Sequence, residues 1–423
     1  MKISSLTSDP AVKRNYVLLG FLALCFIIYF IGEFKRVGDF KIFLDAGVML
    51  NEKANIYLYN PVNGFKYWYS PMFAVLMAAF DGISPVVPIL GWKILNLYFL
   101  FRIWKITDTH FIQTQGFTTK QNYYFQLFIA IGSFMFLSNT LHMAQMTIFL
   151  LYTTFEGLNL ILYKRKLFWG ALLIALAINI KIMPIVILPY LLFRKEFKAA
   201  LIIVLLLLAF LVVPALFLGV EYNSFLHAEW FKSINPLKKE HVLDVKERGF
   251  HSLSALYTSL FTENKGNNFN LDMKRNILNL APATVEMMLN LTRLALILLT
   301  LKVMKFKPFV ASPSKEQTFY EISYISLITP LIFPHQQVYG FFLITPALIY
   351  CIYRGYQHYL SHQKLGIKNI LLALAVIIYS LPLILGFMRY TLFHFKVITY
   401  GILLLMFLFL SYKPAEKQEK TNN

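Results

Sequence analysis

Two carboxylates stand in VGDFKIFLDAG, residues 37–47, of a chain in which only 14% of residues are charged. Asp39 and Asp45 lie six positions apart, and at about 100° per residue a helix turns them to different sides. That spacing makes no acid–base pair, so one of them is expected to be a lone carboxylate with a task. Other polar side chains recur in apolar surroundings: Gln145 in HMAQMTIF, Lys181 in NIKIMP, His335 in FPHQQVYG, and Arg248, His251 and Ser252 in RGFHSLSAL. One carboxylate with scattered cations suits transfer of a sugar from a phosphate-activated donor. Phosphate is already a good leaving group, so no general acid is needed, unlike glycoside hydrolysis with its two carboxyls. One base takes the proton of the acceptor hydroxyl. Positive groups hold the phosphate as charge gathers on it.

Singly, each residue has a plainer reading. Lys181 could snorkel from a helix end, Gln145 could bridge two helices, His335 could cap a turn, and Asp39 could be a solvated loop acid. Tyr57, Tyr59, Tyr67, Trp68 and Tyr69 read more readily as an interfacial aromatic belt than as a sugar platform. The elements that position them must decide.

The 423 residues are 58% hydrophobic and 17% aromatic, and many apolar runs approach the roughly 20 residues that cross a bilayer. The fold class expected is an all-α polytopic membrane protein, because barrel strands would be short and alternating. Spans are expected at residues 16–32, 87–104, 123–140, 146–162, 199–219, 285–304, 319–333, 338–353, 367–386 and 395–411. The segment 167–193 carries Pro184, Pro189 and a central Lys181 between KRK and RKEFK flanks, and a hairpin of two short helices keeps both clusters on one side. That gives about twelve transmembrane helices with both ends cytoplasmic, and more than half of the 40 Lys and Arg fall on the inner side. The run at 16–32 lacks a small-residue cleavage site and reads as a retained anchor.

A formal charge of +19 would suggest nucleic acid in a soluble protein; here the cations flank spans, and no nucleic-acid partner is expected. The two cysteines, Cys25 and Cys351, sit in apolar runs and imply neither a disulfide framework nor a metal site. No Asp-x-Asp and no metal-ligand spacing occurs, so no metal and no cofactor is expected. A single membrane domain over 1–412 is expected, with a polar cytoplasmic tail at 413–423. Its outer loops, 33–86 and 220–284, are too long to be turns and are where function is expected. The first should hold interfacial helices, one around Phe40, Phe43 and Leu44 and one at residues 73–80.

On these residues the chain resembles glycosyltransferase family 87. GDFKIFLDAGVMLNEKANIYLY followed by FKYWYSPMFAVLMAAF is similar to the family's first-loop signature, an Asp–aromatic pair, an acidic-to-LY stretch and F-x-Y-x-P. The AQMTIF block resembles its Gly-Gln motif, INIKIMP its I-K-x-x-P, FHSLSAL its N-Q-S-L-x-A-L loop, and FPHQQVYGFFLITPAL its Pro- and His-bearing outer turn. Departures are Ala144 in place of Gly before Gln145, and Phe250 and His251 in place of Asn-Gln. The resemblance implies a helical bundle of the C-type integral-membrane glycosyltransferases. Such an enzyme moves mannose, or another single sugar, from a polyprenyl-phosphate donor to a glycolipid or glycan of the cell envelope. By it Asp39 is the candidate base, and His335, Lys181 and Arg248 meet the donor phosphate. Gln145, His251, Ser252, Tyr67 and Asp45 are candidate substrate contacts, with membrane lipids around them. The active site would face outward from the inner (plasma) membrane.

Two rival readings are weighed. A multi-span transporter or precursor flippase shares the architecture, but the loop 102–122 lacks that superfamily's Gly- and Arg-rich motif and the halves show no similarity. A polysaccharide polymerase or ligase would call for more arginine than the outer loops hold.

Overall fold

The computed structural model describes residues 37–58, 66–112, 116–235, 243, 249–263, 271, 273–312, 314–412 and 414. The expected span at 16–32, with Cys25, and nearly all of the 413–423 tail lie outside the described residues. Within them the chain is all-helical and forms two compact units. The first holds the described residues up to 131 with 137–185 and 198–235; the second holds 132–136, 186–197 and the described residues beyond 235.

The first unit contains α1 (Phe40–Asn51), α2 (Pro71–Ala78), α3 (Val86–Thr107), most of α4 (Thr119–His142), α5 (Thr147–Leu158) and α6 (Leu167–Ile180). The second unit takes α7 (Ile187–Phe193), and the first closes with α8 (Phe197–Val212) and α9 (Val220–Ile234). Apolar residues recur along α1 at helical spacing, so Phe40, Phe43, Leu44, Gly47 and Leu50 are buried on one stripe. That stripe meets α2, which starts where a sequence rule says it should. Ser70 is extended, its Oγ accepts the Phe73 N–H at 3.2 Å, and Pro71 fills the first turn. Phe43 packs edge-on to Tyr69 (4.7 Å) and Phe73 (5.4 Å), and Phe40 stacks on Trp92 of α3 (5.6 Å). Helices are therefore present where the sequence led to them being expected, around Phe40, Phe43 and Leu44 and close to residues 73–80.

The second unit contains α7, then α10 (Leu253–Phe261), α11 (Pro282–Val303), α12 (Lys315–Ile332), α13 (Thr345–His362) and α14 (Ile367–Ile384). It ends with α15 (Arg389–His394) and α16 (Val397–Ser411). Its anchor is ionic. Arg194, after α7, donates from Nε and Nη2 to both oxygens of Glu321 at 2.9 and 2.5 Å, and Gln317 adds a bond at 2.6 Å. The guanidinium also reaches the carbonyls of Met304 and Val310 at 3.1 and 3.2 Å. Arg194 is thus a buried partner rather than a solvated loop cation.

Among the described residues six helical stretches are long and apolar enough to cross a membrane, and the chain is a multi-pass membrane protein. They are Val86–Ile112, Thr119–His142, Phe197–Leu218, Pro282–Val303, Val338–His362 and Ile367–Ile384. A seventh is possible if Gly386–His394 and Val397–Ser411, bent by 74°, are one span. Other expected spans among the described residues do not meet that measure, because their helices are short, bent or charged. Residues 147–163 form a shorter helix carrying Glu156, which takes Arg102 at 2.6 Å, and α12 carries Glu316 and Glu321. The segment 167–193 is broken: α6 ends at Lys181, whose backbone is extended, and a 3-10 turn at Met183–Val186 precedes α7.

The close approach of α1 and α2 turns on Gly47, where a Cβ would lie 2.5 Å from the Met77 carbonyl carbon. Gly47→Ala is expected to cost about 1–3 kcal/mol by forcing the helices apart. Gly91→Ala, on α3, meets open space and should stabilise by about 0.5–1 kcal/mol. Thermal unfolding of both variants in detergent reads the opposite signs.

Candidate active site

The site in the first unit grows from one turn. Between α4 and α5 the chain reverses through Met143 to Met146, with Ala144 in the left-handed region (φ 49°). This is the position where the family resemblance expects Gly, and the backbone demands what glycine gives most easily. Two bonds hold the turn: Asp39 N–H donates to Met143 O at 2.9 Å, and Trp92 Nε1 donates to Ala144 O at 3.1 Å. Gly38 permits the first, since its φ is +56° and a Cβ there would lie 2.7 Å from the Met143 backbone.

So pinned, Asp39 sits at the start of α1 with its carboxylate beside Gln145. The Gln145 Nε2 donates to Asp39 Oδ2, and its Oε1 accepts from the Tyr69 hydroxyl at 3.2 Å. Both ends of the amide are used, which fixes its orientation. Lys181 comes from the break after α6, and its ammonium lies 5.8 Å from the centre of the Tyr69 ring. The Ser70 hydroxyl, while capping α2, donates to Asn179 Oδ1 at 2.8 Å and so ties the loop before α2 to the end of α6. One carboxylate, one amide, one tyrosine and one ammonium thus converge.

Burial governs their electrostatics. It raises the Asp39 carboxyl above the ordinary carboxylate range, with the Gln145 hydrogen bond and the Lys181 charge opposing the rise. Lys181, at the helix break and outside the candidate spans, is lowered to about 8 by burial, with Asp39 pulling the other way. Each group thus favours the charged form of the other, against the burial that disfavours both charges.

The remaining expected residues fare differently. Asp45 projects from the surface of α1 into an ion pair with Lys41 at 2.6 Å. Tyr67 is buried, and its hydroxyl donates to Ser70 O at 3.0 Å. Among the neighbouring tyrosines it is Tyr69 that reaches Gln145. In the second unit, His335 stands at φ +56° with its ring edge-on to Phe250 (4.8 Å), and His251 N–H donates to Gln336 O at 2.8 Å. His251 and Ser252 are wholly buried there, and burial with the Lys396 charge holds the His251 imidazole well below its usual range. Arg248 lies outside the described residues. Sequence reading chose Tyr67 where the structure brings Tyr69 to Gln145, and it missed Ser70, Asn179 and Lys396; the Ser-Pro start of α2 was the available signal for Ser70.

The sequence model of glycosyltransferase family 87 matches residues 67–302, more than half of the chain. The matched range includes Tyr69, Gln145, Lys181, His251 and Ser252, whereas Asp39 and His335 fall outside it. No curated protein and no solved structure matches the chain.

The mutual effect of the two charges is directly measurable. With Asp39→Asn the attraction that supports the Lys181 ammonium is lost, so its pKa should fall below the present value of about 8. The pH dependence of Lys181 acetylation, followed by mass spectrometry, should move to lower pH. An unmoved midpoint would mean that the two groups do not sense one another.

Proposed function

Because the chain belongs to glycosyltransferase family 87, we propose that it moves one sugar, mannose in the first instance, from a polyprenyl-phosphate donor to a hydroxyl of a cell-envelope glycolipid or polysaccharide. The observation that carries this reading is the half-buried Asp39, held by Gln145 and facing Lys181. The acceptor oxygen attacks the anomeric carbon as the bond from that carbon to the phosphate oxygen breaks. The acceptor proton passes to Asp39, and polyprenyl phosphate leaves with the electron pair. A single base on the side opposite the leaving group gives inversion. Its raised pKa makes Asp39 a stronger base than an ordinary carboxylate, and the Lys181 ammonium is suited to charge developing on the leaving phosphate. Gln145 is a positioning residue, since it fixes which carboxylate oxygen is turned away from the amide.

The wider assignment follows the family resemblance. It gives a C-type bundle of about twelve crossings in the inner (plasma) membrane, both termini cytoplasmic and the site on the outer face. Donor-phosphate contacts through His335 and Arg248, and substrate contacts through His251, Ser252, Tyr67 and Asp45, belong to the same proposal. No metal takes part in it, so transfer should be unchanged in chelator.

Labelled polyprenyl-phosphate mannose, with purified protein and a pool of envelope lipids, tests the reading. Asp39→Asn should lower transfer by about 10²–10⁴-fold with expression intact; activity that survived would place the base elsewhere. The wild-type pH profile should be a bell. Its acid limb follows Asp39, which must be ionised to accept a proton and so sits above the ordinary carboxylate range. Its alkaline limb lies near 8, where Lys181 loses its proton. Lys181→Arg should remove that alkaline limb while retaining part of the rate.

A further inference from the structure

We propose that the N-terminus of α10, with His251, Ser252 and Lys396, is a buried binding site for a phosphate oxyanion in the second unit. The proposal deepens the reading above, since it gives a phosphate-binding role to residues there assigned only to substrate, and adds Lys396, which that reading does not use.

The helix end comes first. An α-helix begins with N–H groups that have no partner within the helix, and its dipole places partial positive charge there. Ser252 stands at the N-cap of α10 with extended backbone, the residue type and conformation that normally cap a helix, yet its side chain makes no capping bond. The end is deeply buried: Leu253, Ser254 and Ala255 are 2–3% exposed.

The side chains around it are the second, separate observation. His251 and Ser252 are both 0% exposed, and neither ring nitrogen of His251 nor the Ser252 hydroxyl has a hydrogen-bond partner among the described residues. Buried polar groups are nearly always satisfied, and each exception needs a reason. Lys396 is also 0% exposed, in the left-handed region (φ 57°) at the bend between α15 and α16. Its neighbours place it beside the imidazole. Three residues before it, the Phe393 ring contacts the His251 ring at 5.0 Å; three residues after it, Thr399 Oγ1 donates to His251 O at 2.8 Å. Arg293 donates to Ser254 Oγ at 2.6 Å, adding a second cation to the first turn of α10. Helix N–H groups, a hydroxyl, an imidazole N–H and cations form a donor set without a carboxylate among the groups named. Oxyanions take such sets, phosphate above all.

Two sources carry that group: a prenyl phosphate, which is the donor's leaving group, and the diester headgroup of an anionic phospholipid. Calorimetric titration of the full-length protein in neutral detergent with farnesyl monophosphate, dimyristoylphosphatidylglycerol and inorganic phosphate separates them. Saturable binding of at least one is expected. Lys396→Met should weaken it about tenfold or more and Ser252→Ala by a smaller factor. Lys396→Arg, which keeps the charge, controls for folding and should bind. Farnesyl monophosphate winning identifies the donor's phosphate; phosphatidylglycerol winning identifies a lipid headgroup; both support the site. Binding that is absent in the wild type, or unchanged in Lys396→Met and Ser252→Ala, overturns it. Because the readout is binding, a protein that binds phosphate but transfers no sugar would sink the proposed function and leave this site standing.

Discussion

A carboxylate moved out of water must be compensated, and for Asp39 the compensation comes first from the Gln145 amide and then from the Lys181 charge. The Gln145 amide donates to Asp39 and accepts from Tyr69, so rotating it would break both contacts at once. Burial lifts the Asp39 pKa, the amide and the Lys181 charge restrain that lift, and the result is a carboxyl of raised basicity. Everything nearby serves to keep that amide where it is. Met143 O fixes the Asp39 backbone, Trp92 fixes the Ala144 carbonyl, and Tyr57 donates to the Tyr69 carbonyl at 3.0 Å.

The scaffold behind this contact is aromatic and close-packed. Phe40, Phe43, Tyr69, Phe73 and Trp92 interlock through stacked and edge-on pairs, an arrangement with fewer soft degrees of freedom than aliphatic packing offers. Gly47 lets α1 lie against α2, and the capping hydroxyl of Ser70 also reaches Asn179. A change in the α1–α2 spacing would therefore be felt at both ends of the carboxylate–ammonium pair, because Asp39 begins α1 and Lys181 follows Asn179.

How much of this could be read from sequence depends on what each residue's neighbours reveal. Asp39 and Gln145 were legible because polar side chains in apolar runs are costly and few. The break at Lys181 was legible from its basic flanks and Pro184. Tyr67 and Tyr69 were not separable: both alternate along the same short stretch, and which hydroxyl meets Gln145 depends on how the chain enters α2. Asn179 and Ser70 each look like local capping residues until folding brings them together across more than a hundred positions. Glu321 reads as an anomaly within an apolar run, and only its pairing with Arg194 shows that a topology cation is a core residue. Lys396 lies within the stretch 395–411 expected as a span, and nothing in FHFKVITY marks the left-handed turn that buries it.

A common constraint links the residues that matter in each unit. Asp39 and Ser252 occupy helix N-caps, Lys181 a C-cap, Lys396 the bend between α15 and α16, and His335 the left-handed link after α12. In a chain built to cross lipid, a helix interior satisfies its own backbone and offers only side chains. At an end or a break, backbone N–H and C=O groups become available and the chain can turn a polar side chain inward without exposing it to hydrocarbon. Sequence shows such places only indirectly, as a proline, a glycine-like position such as Ala144, or a charge that a continuous helix would tolerate poorly. Reading those interruptions first, and the spans second, is the more direct route to the chemistry of a protein of this kind.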